Sequence, residues 1–307
     1  MKKIWHLARS YPVVIGFIAL VTVLSILSDR FLTVSNFLNV LRQVSIQAII
    51  AFGMTIVIIS GGIDLSVGSV FAFSAVVLAS LLKQIGSIPL AILLSLGIGI
   101  MLGAFNGLLI AKAKLQPFIV TLATMAIARS FTLLYTNGMP ITGFSRTFTF
   151  IGRGEIASIP IPVLIMFGVF FLTWYLLSQT KLGLYAYAIG GNEEAVRLSG
   201  VNVDRYKISF YVISGLYSAI SGIILTARLN SAQPIFGQGY ELDAIAAVVL
   251  GGASLTGGKG TVLGTLFGAL IMGIINNGLN LLNVSPFYQQ AVKGSIILAA
   301  VLLEREK

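Results

Sequence analysis

The stretch "IPLAILLSLGIGIMLGAFNGLLIA", residues 88–111, carries no charged side chain over its whole length. At about 1.5 Å of rise per residue such a helix crosses the ~30 Å hydrocarbon core of a bilayer. Asn106 and Ser95 are its only strongly polar side chains, and Gly99, Gly103 and Gly107 stand four apart on one face. Small residues at that spacing let a second helix backbone approach closely. The segment is predicted to be a transmembrane helix with a packed glycine face.

The rest of the chain agrees with this reading. Of 307 residues, 57% are hydrophobic and 10% are charged. Soluble domains carry about 25% charged residues, so this chain lacks the polar surface for a water-borne globule. Further apolar segments near 11–28, 44–63, 65–82, 117–136, 161–178, 208–227, 242–256, 261–283 and 287–303 bring the expected spans to ten. The fold class is therefore an all-α integral membrane protein, a single transmembrane domain over 1–307. The segment 242–256 is short and holds Asp243, so it is expected to be broken or re-entrant, an arrangement tolerated where protein or water surrounds it. The basic residues Lys2, Lys3 and Arg9 precede the first apolar run. That run is long for a signal peptide and no clear cleavage site follows it, so it is read as the first span.

Positive charge sets the orientation. With ten spans, Lys2, Lys3, Arg9, Lys112, Lys114, Lys181, Arg197, Arg205, Lys207, Lys259, Arg305 and Lys307 fall on one side. Arg30, Arg42, Lys83, Arg146, Arg153 and Arg228 fall on the other. The richer side is cytoplasmic by the positive-inside rule, which puts both termini in the cytoplasm. An external loop is expected at about 137–160 and a cytoplasmic one at about 179–207.

That cytoplasmic segment contains "AIGGNEEAVRLSG", residues 188–200. Asn192 is a good N-cap. Glu193 and Glu194 suit the positive end of the helix dipole. Arg197 lies within pairing distance of both. Gly200 fits the left-handed position that ends many helices. A two-turn helix over about 193–199 is predicted, and two turns do not hold together alone in water. It must lie either on its own membrane domain or in a groove of another protein, with Ala195, Val196 and Leu198 as anchors. Gly190 and Gly191 frame its entry.

Some chemistries are excluded and others only suggested. There is no cysteine and a single histidine, His6, so thiolate sites, His clusters and a Ser-His-Asp triad are ruled out. The segment "LTGGKGT", 255–261, misses a phosphate-binding loop at Ala253 and Gly260. Dispersed basic residues argue against nucleic acid. No catalytic, metal or cofactor site is expected in the chain. "GGIDLSVG" (61–68) echoes "GGASLTGG" (251–258), and "FNGL" with a following "PF" (105–108, 117–118) echoes "NNGL" with "PF" (276–279, 286–287). These echoes suggest two related halves with a solute route between them. Asp64, Asn106, Asn276 and Asn277 are pathway candidates by their polarity within spans. Arg129 and Lys293 also lie within spans, where structural pairing is the plainer role.

The segments 53–70, 187–201, 231–265 and 276–294 together resemble the permease subunits of sugar ABC importers. The likeness runs through nearly the whole chain and extends to the ribose-carrying members. Permeases for xylose, arabinose, galactose-type sugars and autoinducer-2 share much of it. The resemblance implies import of a monosaccharide, ribose first, across a bacterial inner membrane by alternating access. It implies a second permease subunit, a cytoplasmic ATPase with two nucleotide-binding halves that uses ATP and Mg, and a periplasmic binding protein. It makes 190–200 the contact with the ATPase. A cation-coupled secondary transporter is the rival; it needs paired intramembrane carboxylates, for which only Asp64, Asp243 and Glu241 are at hand.

Overall fold

The computed structural model describes residues 12–305. Lys2, Lys3, Arg9 and Lys307, counted above for the cytoplasmic side, lie outside the described residues. Among the described residues there are twelve helices. They are α1 (Pro12–Leu27), α2 (Val34–Ile59), α3 (Val67–Gln84), α4 (Ile88–Ala111), α5 (Pro117–Thr136), α6 (Arg146–Arg153), α7 (Ile161–Gln179), α8 (Lys181–Leu198), α9 (Val203–Leu229), α10 (Tyr240–Leu250), α11 (Val262–Leu281) and α12 (Pro286–Arg305). Seven of them are long and apolar enough to cross a membrane: α2, α3, α4, α5, α7, α9 and α11. α1 is a shorter helix, α12 has 20 residues, and α10 has only 11. The last is too short to cross, as expected for 242–256.

α2 is the centre of the bundle. Nearly every side chain from Val44 to Ile59 is buried, the mark of a helix enclosed on all sides. α9 packs against α4 through the glycine face. A methyl group added at Gly99 would lie 2.4 Å from the Gly215 carbonyl oxygen, and one at Gly103 would lie 2.3 Å from that of Tyr211. The small residues of α11 do the same for α10, where a Cβ at Gly268 would meet the Ala247 carbonyl oxygen at 1.9 Å. α4, α5 and α7 turn apolar side chains outward, among them Leu93, Met101, Phe131, Leu134, Phe171 and Trp174.

Three elements differ from the sequence expectation. α2 starts at Val34, ten residues before the expected span. Thr33 caps it by accepting from the Asn36 amide, and its polar first turns find partners: Arg42 pairs with Glu155, and Asn36 with Asn277. The segment 179–207 is almost entirely helical, because Thr180 caps α8 directly after α7. The segment 137–160 holds α6 and three two-residue strands. β1 (Ile141–Thr142) pairs antiparallel with β4 (Ser231–Ala232), and β2 (Glu155–Ile156) with β3 (Ile159–Pro160).

The basic residues sort to two ends. Arg42 meets Glu155, Lys83 donates to the Gly143 carbonyl, and Arg153 donates to the Arg228 carbonyl. At the other end Lys207 and Arg197 meet Glu193, and Lys112 and Arg205 border one groove.

The glycine echo is a repeated helix ending. α2 closes with Ser60 N–H on Ile56, Gly61 N–H on Ile58 and Gly62 N–H on Val57, at 2.9–3.1 Å. α10 closes with Gly251 on Ala247, Gly252 on Val249 and Ala253 on Val248, at 2.8–3.2 Å. Gly61 (φ +81°) and Gly252 (φ +86°) take the left-handed position, the Schellman pattern. The equivalent residues are thus Gly61 and Gly252, one place out of register with the sequence echo. The second echo holds for helix order: α4 and α11 end shortly after their Asn-Gly, and Pro117 and Pro286 open the next helices. Between the two echoes the first half carries one more helix, α3, which accounts for the unequal spacing.

Candidate functional site

α8 is two helices joined at Asn192, whose extended backbone (φ −160°, ψ 97°) interrupts the helical run. The Asn192 side chain accepts from the Ala195 amide at 3.0 Å, so it caps the second helix as its residue type suggests. Ser199 ends that helix, and Gly200 follows in the left-handed region (φ +81°). The two-turn unit is therefore 193–198.

Its polar face is tied down. Glu193 accepts from Arg197 at 3.0 Å and from Lys207 at 2.5 Å, and Arg197 also reaches Asp204 at 3.2 Å. Burial pushes the Glu193 carboxyl up, but Lys207 and Arg197 outweigh it and hold the group below the usual carboxylate range. Of the expected anchors, Val196 packs against the core while Ala195 and Leu198 face outward, Leu198 with 83% exposure. Glu194 is exposed as well. One edge of the helix thus grips the protein and the other presents an acid and a large apolar side chain.

The entry to this helix sits in a backbone cradle. A Cβ on Gly190 would lie 1.9 Å from the Ile59 carbonyl oxygen and 2.5 Å from the Gly258 nitrogen. Gly258 donates to that Ile59 carbonyl at 2.8 Å, and Tyr187 donates its hydroxyl to the Gly260 carbonyl at 2.8 Å. Gly191, by contrast, has open space around it. The 193–198 helix is therefore seated on the ends of α2 and of the 251–260 turn. A cavity of about 220 Å³ lies beneath it, bordered by Gly61, Gly190, Glu193, Lys207, Tyr211 and Thr256.

The pathway candidates separate. Asp64, 1% exposed, accepts from the Ser66 amide (3.0 Å), the Ser66 hydroxyl (2.6 Å) and the Ser214 hydroxyl (2.7 Å). Asn106 donates to Ser66 at 2.9 Å and accepts from Thr124 at 2.6 Å. The result is one buried polar knot across α3, α4, α5 and α9. Asn277 forms a reciprocal amide pair with Asn36 at 2.8 and 3.0 Å. Asn276 is buried, and among the described residues its side-chain oxygen has no hydrogen-bond partner. Arg129 donates to the Pro234 and Phe236 carbonyls at 2.5 and 2.9 Å, and Lys293 pairs with Asp243 at 2.9 Å. Both intramembrane cations thus have structural partners.

Sequence reasoning missed Lys207, Asp204, Gly257, Gly258 and Tyr187 around the short helix. The adjacent glycines at 257–258 were the available signal for a tight backbone contact.

The family model described as branched-chain amino acid transport system / permease component matches residues 36–301. The chain belongs to that family. The ribose import permease protein of Bacillus subtilis (strain 168) is 54% identical over 295 residues, covering 95% of this chain and 92% of that protein. The ribose import permease protein of Escherichia coli (strain K12) is 50% identical over 297 residues, covering 95% and 92%. The D-allose transport system permease protein of Escherichia coli (strain K12) is 39% identical over 282 residues, covering 92% and 86%. No solved structure matches the chain. This permease is a multi-pass membrane protein, and the segments that carried the resemblance all lie within the matched range.

Proposed function

We propose that this chain is the ribose-translocating permease of an ATP-driven importer in a bacterial inner membrane. Two copies form the route, and both termini face the cytoplasm. ATP and Mg belong to a separate ATPase, and a periplasmic protein delivers the sugar. What supports ribose is the identity to ribose import permeases over nearly the full chain. The observation that carries the mechanism is the 193–198 helix, gripped at Gly190 and Glu193 and open at Glu194 and Leu198. Closure of the ATPase moves that exposed edge, and the cradle passes the movement to the end of α2. α2 runs through the middle of the bundle, so its displacement reshapes the route. Affinity for sugar rests mainly in the binding protein. Within the chain, Asn276 is the pathway residue with a side-chain oxygen left for a sugar hydroxyl. Asp64, Asn106 and Asn277 hold the walls of the route.

Uptake of labelled ribose into proteoliposomes containing this permease, its ATPase and its binding protein tests the reading. Leu198→Asp together with Glu194→Lys changes only exposed groups. Association with the ATPase and ribose uptake are expected to fall together by tenfold or more, consistent with loss of an exposed anchor, while the melting temperature of the permease holds. Unchanged association in the double variant would refute the coupling role. Competition by unlabelled allose or galactose as strong as by ribose would refute the substrate.

A further inference from the structure

α2 carries a row of amides on one face. Asn39, Gln43 and Gln47 stand four residues apart, a spacing that sets side chains one above another along a helix. Gln47 donates to Asp243 at 3.1 Å, and among the described residues its side-chain oxygen has no hydrogen-bond partner. Asn39 is exposed and Gln43 half-buried, and neither side-chain amide is hydrogen-bonded among the described residues. Measured back from Ile59 at ~1.5 Å per residue, the ~30 Å hydrocarbon core ends near residue 39. The row therefore runs inward from the rim of the bilayer, with Gln47 about 12 Å below Asn39. Amides without partners do not belong against lipid tails, where nothing replaces the water they lose.

The short helix α10 explains why the row is open. It meets this face of α2 at Gln47, through Asp243, and begins only at Tyr240. The chain that enters α10 is tied to α3 and α5. The Gly237 carbonyl oxygen lies 2.1 Å from where a Cβ on Gly68 would stand, and Arg129 donates to the Pro234 and Phe236 carbonyls. On the other flank Lys293 of α12 pairs with Asp243 at 2.9 Å. The row thus ends on a floor made by Gln47, Asp243 and Lys293. The amide pair of Asn36 with Asn277 brings the neighbouring Asn276, which also has a free side-chain oxygen, to the same end of α2. The row is neutral, and the one acid at its floor is matched by a lysine. An ion finds no net charge here. A polyol finds amides that both donate and accept, as its hydroxyls do.

We propose that Asn39, Gln43 and Gln47 form a water-lined, sugar-contacting wall in the external half of the route, where the monosaccharide exchanges its water for amide contacts as it descends toward the Asp243–Lys293 floor. The proposal rests on the transport function given above and names the side chains that meet the substrate. A row of similar, modest contacts lets a solute enter and leave, whereas one tight site would hold it.

The chain holds no cysteine, so single introduced thiols report without background. Gln43→Cys and Asn39→Cys permeases in nanodiscs are treated with a cationic methanethiosulfonate, which reacts only where water reaches the thiol. Leu93→Cys, on an apolar and 65% exposed position of α4, is the lipid-facing control. Reaction at Gln43→Cys is expected to be at least about tenfold faster than at the control. Equal, slow reaction overturns the proposal, since the row then faces lipid. A disulfide between the Gln43→Cys chains of two copies, with the reagent excluded, overturns it in favour of subunit contact. Transport is then measured with Asn39→Leu/Gln43→Leu, a pair whose removal orphans no other side chain. Labelled ribose taken up per ATP hydrolysed is expected to fall about tenfold, with the melting temperature and the ATP hydrolysis stimulated by the binding protein unchanged. Asn39→Gln/Gln43→Asn is expected to keep uptake near the wild-type level. Unchanged uptake in the Leu pair overturns the proposal, and so does an equal fall of uptake and ATP hydrolysis, which is the mark of lost packing or coupling. If the wild-type assembly carries another monosaccharide in place of ribose, the substrate reading fails, and the same comparison is decided with that sugar.

Discussion

The ends of α2 and α10 are closed by the same backbone device, yet the chain that follows each is held in a different way. After Gly62 the next turn is fixed by side chains: Asp64 collects Ser66 and Ser214, and Asn106 and Thr124 extend the knot. After Ala253 the longer reach is made by backbone, with the Ser254 hydroxyl bonded locally to Thr256. Ser254 donates to the Lys259 carbonyl, Gly257 to that of Ser254, and Gly258 to that of Ile59. The first region sits among four helices and needs polar groups that satisfy one another away from water. The second sits against the short helix at 193–198, where glycines bring three segments within contact distance. A knot of side chains is broken by deletion. A cradle of backbone is broken by overfilling. That distinction says which substitutions reveal each region.

The largest effect is expected at Gly190. An alanine there has its methyl 1.9 Å from the Ile59 carbonyl oxygen, and neither Ile59 nor Gly258 has a flexible side chain to move aside at that point. The short helix must lift off the end of α2. Gly190→Ala is expected to cost about 3 kcal/mol, at the upper end for overpacking, and to abolish transport-coupled ATP hydrolysis. Gly191→Ala, one residue along with nothing within 4 Å of its Cβ, serves as the control and leaves both nearly unchanged. Equal behaviour of the two variants in thermal melting and ATPase assays would show that the cradle carries no constraint.

Next in size is the side-chain knot. Asp64→Ala leaves the Ser66 amide, the Ser66 hydroxyl and the Ser214 hydroxyl without their acceptor. Orphaned buried polar groups cost about 1–3 kcal/mol, and Ser66 and Ser214 can re-pair only in part. A net loss of about 2 kcal/mol is expected. Asp64→Asn keeps one acceptor oxygen and is expected to lose less. Melting curves in one detergent decide it: an alanine variant as stable as the asparagine variant removes the knot as a stabilising feature. The coupling assay separates the regions further, since Asp64→Asn leaves the 190–200 surface intact.

These two regions were unequally legible in the sequence. The spans were readable because ~20 uncharged residues in a row admit few other structures, and α5 runs from Pro117 to Thr136 as expected. The start of α2 was not, because Arg42 and Asn36 look like loop residues until Glu155 and Asn277 are brought to them by the fold. The short helix was readable because capping is local: Asn192 and Gly200 do what their residue types favour. Its seat was not, since Gly190 meets Ile59 and Gly258, which are far from it along the chain. Asp64 was readable as a polar side chain within a span. Its ties to Ser214 and, through Ser66, to Asn106 come from helix packing that no local pattern encodes. The glycine echo was seen one residue out of register because Gly-Gly pairs were matched as letters, whereas the left-handed position falls on the second glycine of 251–252 and the first of 61–62.

The smallest expected effect addresses what the two regions share. Gly61 and Gly252 occupy the same left-handed position, and neither Cβ would meet a close neighbour: the nearest atom to Gly61 is Gly190 Cα at 3.8 Å, and Gly252 has nothing within 4 Å. An alanine at either site therefore bears the backbone penalty alone, about 1 kcal/mol for an L-residue held there. Gly61→Ala and Gly252→Ala are expected to lower the melting temperature by the same small amount, with uptake nearly preserved. Gly251→Ala, which sequence register alone would pair with Gly61, is not equivalent. It has φ −69° and would press a methyl 2.4 Å from the backbone of Gly264, so it is expected to lose more through packing against α11. If instead Gly251→Ala is the mild change and Gly252→Ala the severe one, the equivalence of the two helix ends fails, and the likeness between 61–68 and 251–258 is one of composition only.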